Sequence, residues 1–458
     1  MIMEYRDNYQ GKNVLVVGMA RSGISSAKLL LKLGANVALY DRKTREELNN
    51  DKVNYLIDEK GVKDLLGVSA EEAETWADEM VLSPGVPIRQ PLIEEAKAHG
   101  KRVIAEIELG YEVAKCPIIG IGGTNGKTTT TSLTGEIFKN AGKNTFVLGN
   151  IGLPLTEHAY EAKETDYIVA EIAALQLETT EHFRPKAFAL LNITVDHLDR
   201  FGTMEYYTEC KMKAFQNQTR DDIAILNIDD PITLSQIHKI KSKLMMFSRR
   251  HEVDEGAFVR DGMIVFRMNG RESEVCRTDE VRIPGNHNLE NALAAVCLSM
   301  CMGISANVVA YTLKTFAGVE HRIEFVRKVN GIRFINDSKG TNPDSTIKAI
   351  ETMTGPTVLI LGGYDKHISF DDMFDHFTDN IKDIVILGAV KDQLVDTAER
   401  KGFRNYHVVD TFEEAVKKAY SLSAAEGTVL LSPACASWDM FDNFEQRGEI
   451  FKNIVKAL

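Results

Sequence analysis

The sequence predicts an α/β protein of three domains built on doubly wound, largely parallel sheets. Three observations carry that prediction. Short apolar runs alternate with helical stretches from Lys12 onward, the alternation restarts after Lys115, and it restarts again near Arg322. At ~150 residues per domain, a chain of 458 residues agrees with three. Hydrophobic residues make up 44% and charged residues 26%, a balance that excludes disordered, collagenous and coiled-coil chains.

In the first unit, 12–17 reads as a strand leading into a turn, 25–33 as a helix and 36–40 as a second strand ending at Asp41. Another strand, 80–82, runs into the loop Ser83-Pro84-Gly85-Val86-Pro87. The second unit opens with a strand at 117–121, a Gly-rich loop and a helix at 128–140, with further strands at 167–170, 188–192 and 223–227. Alternating residues and few helix signals over 245–282 predict a small antiparallel patch attached to this unit. In the third unit, 331–336, 357–361, 384–387, 406–409 and 428–431 read as strands spaced by helices.

Lys and Arg total 54 against 66 Asp and Glu, a net charge of −12 without a basic block. Backbone recognition of nucleic acid needs clustered cations, so no nucleic-acid partner is expected. The opening MIMEYRDNYQ lacks the apolar core of a signal peptide, and no run reaches ~18 apolar residues. Six cysteines without CxxC spacing read as reduced thiols. The expectation is a cytoplasmic protein without a membrane partner.

The strongest chemical signal is Gly122-Gly123-Thr124-Asn125-Gly126-Lys127-Thr128-Thr129 between a strand and a helix. Glycines let backbone N–H groups close around phosphate oxygens, the lysine offsets β/γ charge, and a Thr hydroxyl reaches Mg²⁺. Ile121 stands where the strict spacing would have Gly, so the loop is a shortened version; the bland alternative is a Gly-rich turn. The turn Gly18-Met19-Ala20-Arg21-Ser22-Gly23 has Ala20 at the second Gly of a dinucleotide fingerprint, which disfavours NAD and FAD. It leaves a nucleotide with phosphates near the helix N-terminus and Asp41 and Arg42 for sugar or base, or a plain βα turn.

Glu171 and His197 each follow a strand and would converge beside the phosphate loop, where a carboxylate and an imidazole hold divalent cations; singly, each reads as a structural residue. Composition alone makes Lys211 a solvated lysine. The amides of Asn288 and Asn291 are either helix caps or readers of an adenine edge. Three loops beginning at Asp337, Gly362 and Ser432 should share one edge of the third sheet and suit anionic groups.

The ordered strings VVGMARSG, SPGVP, GTNGKTTT, DHLDRF, GNHNLENALAA, HRIE, NDSKGTNP, GGYDK and SPACASWDMFDNFEQRG, with Glu171 and Gln176 five positions apart, resemble the Mur ligases across essentially the whole chain. The resemblance implies a Rossmann-like N-terminal domain for a UDP-sugar (1–115), a central P-loop ATPase-type domain (116–320) and a Rossmann-like C-terminal domain for the incoming amino acid (321–458). The loops at Asp337 and Ser432 match the branch that joins D-glutamate to UDP-N-acetylmuramoyl-L-alanine, through an acyl phosphate, in peptidoglycan precursor synthesis.

By this resemblance Gly123, Thr124, Asn125, Gly126, Lys127, Thr128 and Thr129 hold ATP phosphates. Asn288 and Asn291 stand on the adenine side, Arg322 and Lys339 on the phosphate side, and Asp337 contacts the ribose. Two Mg²⁺ are expected, on Thr128, Glu171, His197 and a carbamylated Lys211. Lys127, His197 and Lys211 form the catalytic set. The acceptor is assigned to Gly18, Ser22, Asp41, Arg42, Ser83, Gly85, Asn150 and Gln176, and D-glutamate to Thr341, Lys366, Ser437, Trp438 and Phe444. One departure stands out: the family usually carries Ser-Ser-Phe-Gln where this chain has Ala173-Ala174-Leu175-Gln176, two hydroxyls fewer.

The rival readings are an amide ligase for another acceptor or for folate, a nucleotide-binding regulator and a dehydrogenase. The Ser-Pro-Ala-Cys-Ala-Ser loop opposes the first, Glu171 and Gln176 the second, and Ala20 with the GKT loop the third. A monomer is expected.

Overall fold

The computed structural model describes residues 6–365 and 368–458. Its strands form three sheets. The first consists of β1 (Asn13–Val17), β2 (Asn36–Tyr40), β3 (Lys63–Asp64), β4 (Glu79–Leu82) and β5 (Arg102–Ala105), in the order β3-β2-β1-β4-β5 and parallel throughout. β1 and β4 are almost entirely buried, which is why they read as unbroken apolar runs rather than alternating ones.

The second sheet holds β6 (Ile118–Gly122), β7 (Thr145–Gly149), β8 (Tyr167–Glu171), β9 (Ala187–Leu190), β10 (Ile223–Asn227), β11 (Lys243–Ser248), β12 (Gly256–Arg260), β13 (Met263–Met268) and β14 (Arg271–Arg277). Their order is β14-β13-β12-β11-β10-β9-β6-β8-β7. β7 through β12 are parallel, whereas β12, β13 and β14 pair antiparallel. The antiparallel patch is thus the edge of the second sheet itself.

The third sheet is β15 (Glu324–Val329), β16 (Ile332–Asn336), β17 (Thr357–Gly362), β18 (Ile381–Leu387), β19 (Tyr406–Val408) and β20 (Thr428–Leu431), in the order β15-β16-β20-β17-β18-β19. Only β15 runs antiparallel to its neighbour. Contacts within the chain define two compact units: Met1–Val281 with Leu289–Phe316, and Arg282–Asn288 with Ala317–Leu458.

In the first unit a continuous apolar cluster runs from Val14 and Val16 through Ile107 and Leu109 to Ile168 and Phe188, so the first two sheets share one core. Arg102 locks that junction polar-side, donating to Glu79, Glu112 and Glu181 at 2.8, 2.5 and 2.7 Å. Helix Arg21–Lys32 begins four residues before the sequence expectation, since Arg21 to Ile24 lack apolar periodicity and owe their helicity to packing. Among the described residues no helix is long and apolar enough to cross a membrane.

Candidate functional site

β6, β8 and β9 are neighbours and parallel, so their C-terminal ends open on one edge. At the end of β6, Gly123 has φ +145° and Gly126 has φ +83°, backbone that L side chains rarely adopt. A Cβ on Gly126 would collide with Asn291 Oδ1, so the glycine is required by space as well as by φ. Helix Lys127–Asn140 starts there with no side-chain cap, and a helix N-terminus of this kind favours an anion. Lys127 Nζ donates to the carbonyls of Gly123 and Thr124 at 3.0 and 2.6 Å, folded over its own loop.

The loop is held open from β9. Asn192 Oδ1 accepts from the N–H of Thr124 and Asn125 at 3.1 and 2.8 Å, and its Nδ2 donates to Asn125 O at 3.1 Å. Thr124 Oγ1 donates to Thr194 O at 3.2 Å and lies 3.3 Å from Tyr207 OH. Thr128 and Thr129 are buried, and the Thr129 hydroxyl has no partner among the described residues. Asn291 Oδ1 accepts from Thr130 Oγ1 at 3.3 Å beneath the loop.

Glu171 is the last residue of β8 rather than the first after it. One carboxylate oxygen accepts from Asn150 Nδ2 at 2.8 Å; the other, Oε2, is buried without a hydrogen-bond partner among the described residues. A buried carboxylate oxygen left bare is expensive unless a cation or donor arrives. Gln176 is buried and its Oε1 accepts from Ala173 N at 2.8 Å. His197 has φ +52° and an exposed ring, its Nε2 3.7 Å from Asp196 Oδ2.

The composition reading of Lys211 as a solvated lysine is overturned. It is 3% exposed, in helix Met204–Met212, with Nζ 4.4 Å from the centre of the Tyr207 ring. Burial, followed by the charge of Lys127, pushes its pKa well below the ordinary lysine range, with Asp196 opposing. Burial and a second cation both favour the neutral amine, which is the nucleophilic form.

In the first sheet, Gly18, Asp41, Arg42, Ser83 and Gly85 line one cavity of about 450 Å³ at the ends of β1, β2 and β4. Ser22 lies in the first helical turn, outside the cavity lining. Gly18 has φ +91°, and a Cβ on Gly23 would collide with Gly18 O, so the turn packs only with glycine at both ends. Asp41 Oδ2 accepts from Met19 N at 3.2 Å, Ser83 Oγ donates to Gly18 O at 2.8 Å, and Arg42 donates to Gln90 at 2.8 Å.

The second compact unit brings its three loops to one sheet edge. Gly362 N donates to Pro433 O and Tyr364 N to Ala436 O, both at 2.9 Å, while Ser432 Oγ donates to Asp337 Oδ2 at 2.7 Å. Asp337 is buried, and desolvation pushes its carboxyl up to about 6 against the pull of Arg322. Arg322 lies between His321 and Ile323, both at positive φ (+63° and +46°), a strained arrangement held by Glu324 on His321 N and Asp337 on Ile323 N. Its buried Nε has no partner among the described residues.

Lys339 Nζ stands 5.1 Å over the Phe444 ring. Thr341 is half-buried, Ser437 buried, and Trp438 is 64% exposed with its ring 5.5 Å from that of Tyr364. Asn288 is buried, donating to Pro284 O at 2.7 Å. Lys366 lies outside the described residues.

Sequence reasoning missed Asn192, Asp196 and Tyr207, which hold the phosphate loop and face Lys211, and Arg447. The Arg447 guanidinium is buried and donates to Ser338 O, Ser338 Oγ, Cys435 O and Ala436 O at 2.7, 2.9, 3.1 and 3.4 Å, fastening two of the three loops. Nothing in composition separates such an arginine from a surface one.

Residues 12–105 match the Mur ligase MurD-like N-terminal domain, 121–299 the Mur ligase middle domain, and 321–435 the Mur ligase glutamate ligase domain. Proteins named UDP-N-acetylmuramoylalanine--D-glutamate ligase are 48% identical in Alkaliphilus oremlandii and 44% in Clostridioides difficile, each match covering 98% of this chain and 99% of the relative. The chain belongs to the Mur ligase family. The fold agrees at much lower identity. A UDP-N-acetylmuramate-alanine ligase of Thermotoga maritima superposes with a TM-score of 0.60 at 20% identity, covering 97% and 99% of the two chains. A Mur ligase of the same organism solved with ADP gives 0.58 at 16%, covering 99% and 97%. As a Mur ligase, the chain is an ATP-dependent ligase.

Proposed function

We propose that this Mur ligase joins D-glutamate to UDP-N-acetylmuramoyl-L-alanine in the cytoplasm, as a step of peptidoglycan precursor synthesis on which the cell wall, cell shape and division depend. One observation carries the reading: relatives alike over 98% of this chain bear that reaction in their names. The three domains are taken as 1–115 for the UDP-sugar, 116–320 for ATP and 321–458 for the amino acid.

The site chemistry follows from charge. The acceptor carboxylate attacks the γ-phosphorus of ATP, ADP leaves, and an acyl phosphate results; the amine of D-glutamate then attacks the acyl carbon and phosphate departs from a tetrahedral intermediate. Two anions must meet in the first step, so Lys127 and the N–H groups of the loop supply preorganised positive charge. The residues present fit Mg²⁺: Glu171 offers a bare buried oxygen, His197 an exposed imidazole and Thr128 a hydroxyl. Bound Mg²⁺ would offset the remaining repulsion between the reacting anions. Two ions would be held if Lys211 contributes as well: its neutral amine adds to CO₂, an N–C bond forms and one proton leaves, converting an amine into a carboxylate-like ligand.

The acceptor is assigned to the cavity at Gly18, Asp41, Arg42, Ser83 and Gly85 and to contacts with Ser22, Asn150 and Gln176. ATP is held by the phosphate loop together with Asn288, Asn291, Arg322, Asp337 and Lys339. Thr341, Lys366, Ser437, Trp438 and Phe444 receive D-glutamate. A substrate lacking the second carboxylate would forgo one ion pair with this pocket, so charge favours glutamate over an amino acid with one carboxylate.

The test is ADP release with ATP and UDP-N-acetylmuramoyl-L-alanine, adding D-glutamate, L-glutamate, D-aspartate or L-lysine in turn. D-glutamate alone should support turnover. Preference for lysine would overturn the pocket assignment, and preference for L-glutamate the branch of the family.

A further inference from the structure

The UDP-sugar cavity and the candidate metal residues are joined through one side chain. Arg200 Nη2 donates at 2.9 Å to the carbonyl of Val86, which lines the cavity. The same guanidinium donates to Glu178 Oε2 through Nη2 at 2.6 Å and Nε at 3.2 Å. The Glu178 side chain is 2% exposed and that of Arg200 16%, so this pair is shielded where surface pairs are not. Arg200 follows His197 by three residues, and Glu178 follows Gln176 by two. The Glu178 carbonyl accepts from Lys213 Nζ at 2.6 Å, just beyond Lys211. The Val86 turn is closed by its own N–H on Ser83 O at 3.0 Å, and Ser83 Oγ reaches Gly18 O. Any shift of that turn on ligand entry therefore acts on Arg200, and through it on the segments bearing His197, Gln176 and Lys211.

We propose that Arg200 is a positioning residue that couples occupancy of the UDP-sugar cavity to the placement of the metal-side segment, so that acceptor and Mg²⁺–nucleotide each tighten the other's binding. This rests on the ligase reading above. The planar guanidinium serves two acceptors at a fixed angle; a lysine ammonium is a single point charge and cannot hold both in register.

The measurement is calorimetric binding of UDP-N-acetylmuramoyl-L-alanine with and without Mg²⁺ and a non-hydrolysable ATP analogue, and the reciprocal titration, for the whole wild-type chain and for Arg200→Lys. Wild type should show mutual tightening of about tenfold, and Arg200→Lys should lose most of it while each ligand alone binds within about twofold of wild type. Glu178→Gln should lose the coupling in the same way. Weakened binding of both ligands with the coupling intact would make Arg200 merely structural and overturn the proposal, as would a wild type without coupling. Wild type that binds no acceptor at all would instead overturn the ligase reading.

Discussion

Lys127 and Lys211 are both lysines near one phosphate loop, but one is half-buried on its own loop and the other fully buried. The Lys127 ammonium rests on two carbonyls of that loop. Lys127→Ala should leave the fold intact, because nothing in the core depends on that ammonium, yet lower ATP turnover by on the order of 10²–10³-fold or more, the usual loss for one preorganised charge-stabilising group. Circular dichroism and ADP release check the two halves separately. Lys211 is buried beside Tyr207 with its pKa pushed down, which favours the neutral amine that CO₂ requires. Lys211→Ala should be nearly inactive, and small carboxylic acids such as formate or acetate should partly restore ADP release; full activity without response to acids would return Lys211 to a packing role.

Elements differ in how visibly they announce themselves. β1, β2, β10 and β20 are short, mostly buried and largely apolar runs, legible almost to the residue. β3 has two exposed polar residues, and β15 carries Glu, Arg and Lys on a sheet edge; both exist because a neighbouring strand offers hydrogen bonds, so no sequence period marks them. Helix Ala174–Leu177 has Ala173 at its N-cap, in extended backbone and without a side-chain acceptor. Ala173→Ser places a hydroxyl where it can accept from the N–H of the first helical turn, and should stabilise the protein by about 1 kcal/mol, read as a shift in urea midpoint. An unchanged midpoint would mean that Gln176, already capping Ala173 N, satisfies that end alone.

For the whole molecule, the junction between the first two sheets contains a buried acid. Glu106 accepts from Thr156 N and Oγ1 at 2.8 Å, while its Oε2 has no partner among the described residues. Desolvation outweighs those bonds and pushes its pKa up from 4.5 to about 7. A folded-state pKa above the unfolded one means the folded chain binds the proton more tightly. The stability this gives is full below pH 4.5 and is lost as pH rises toward 7. Glu106→Gln should remove that loss, gaining on the order of 3 kcal/mol relative to wild type between pH 4.5 and pH 8. Urea unfolding across that range checks it, and parallel profiles for the two proteins would refute it.

What the sequence determined alone was local: alternating buried strands and helices, which set the α/β class and the three sheets, and glycines whose positive φ or missing Cβ the turns at Gly18, Gly23 and Gly126 require. Those properties belong to a few consecutive residues, and so they can be read from them. What only the tertiary structure decided was environment. Lys211 and a surface lysine are the same letter in a helical stretch, and burial against Tyr207 separates them. Arg447 and Arg200 act through carbonyls of loops far away in sequence. The bare oxygen of Glu171 is defined by which donors fail to reach it. Dielectric and hydrogen-bond satisfaction are sums over neighbours in space, and the order of residues along a chain does not contain them until the chain has folded.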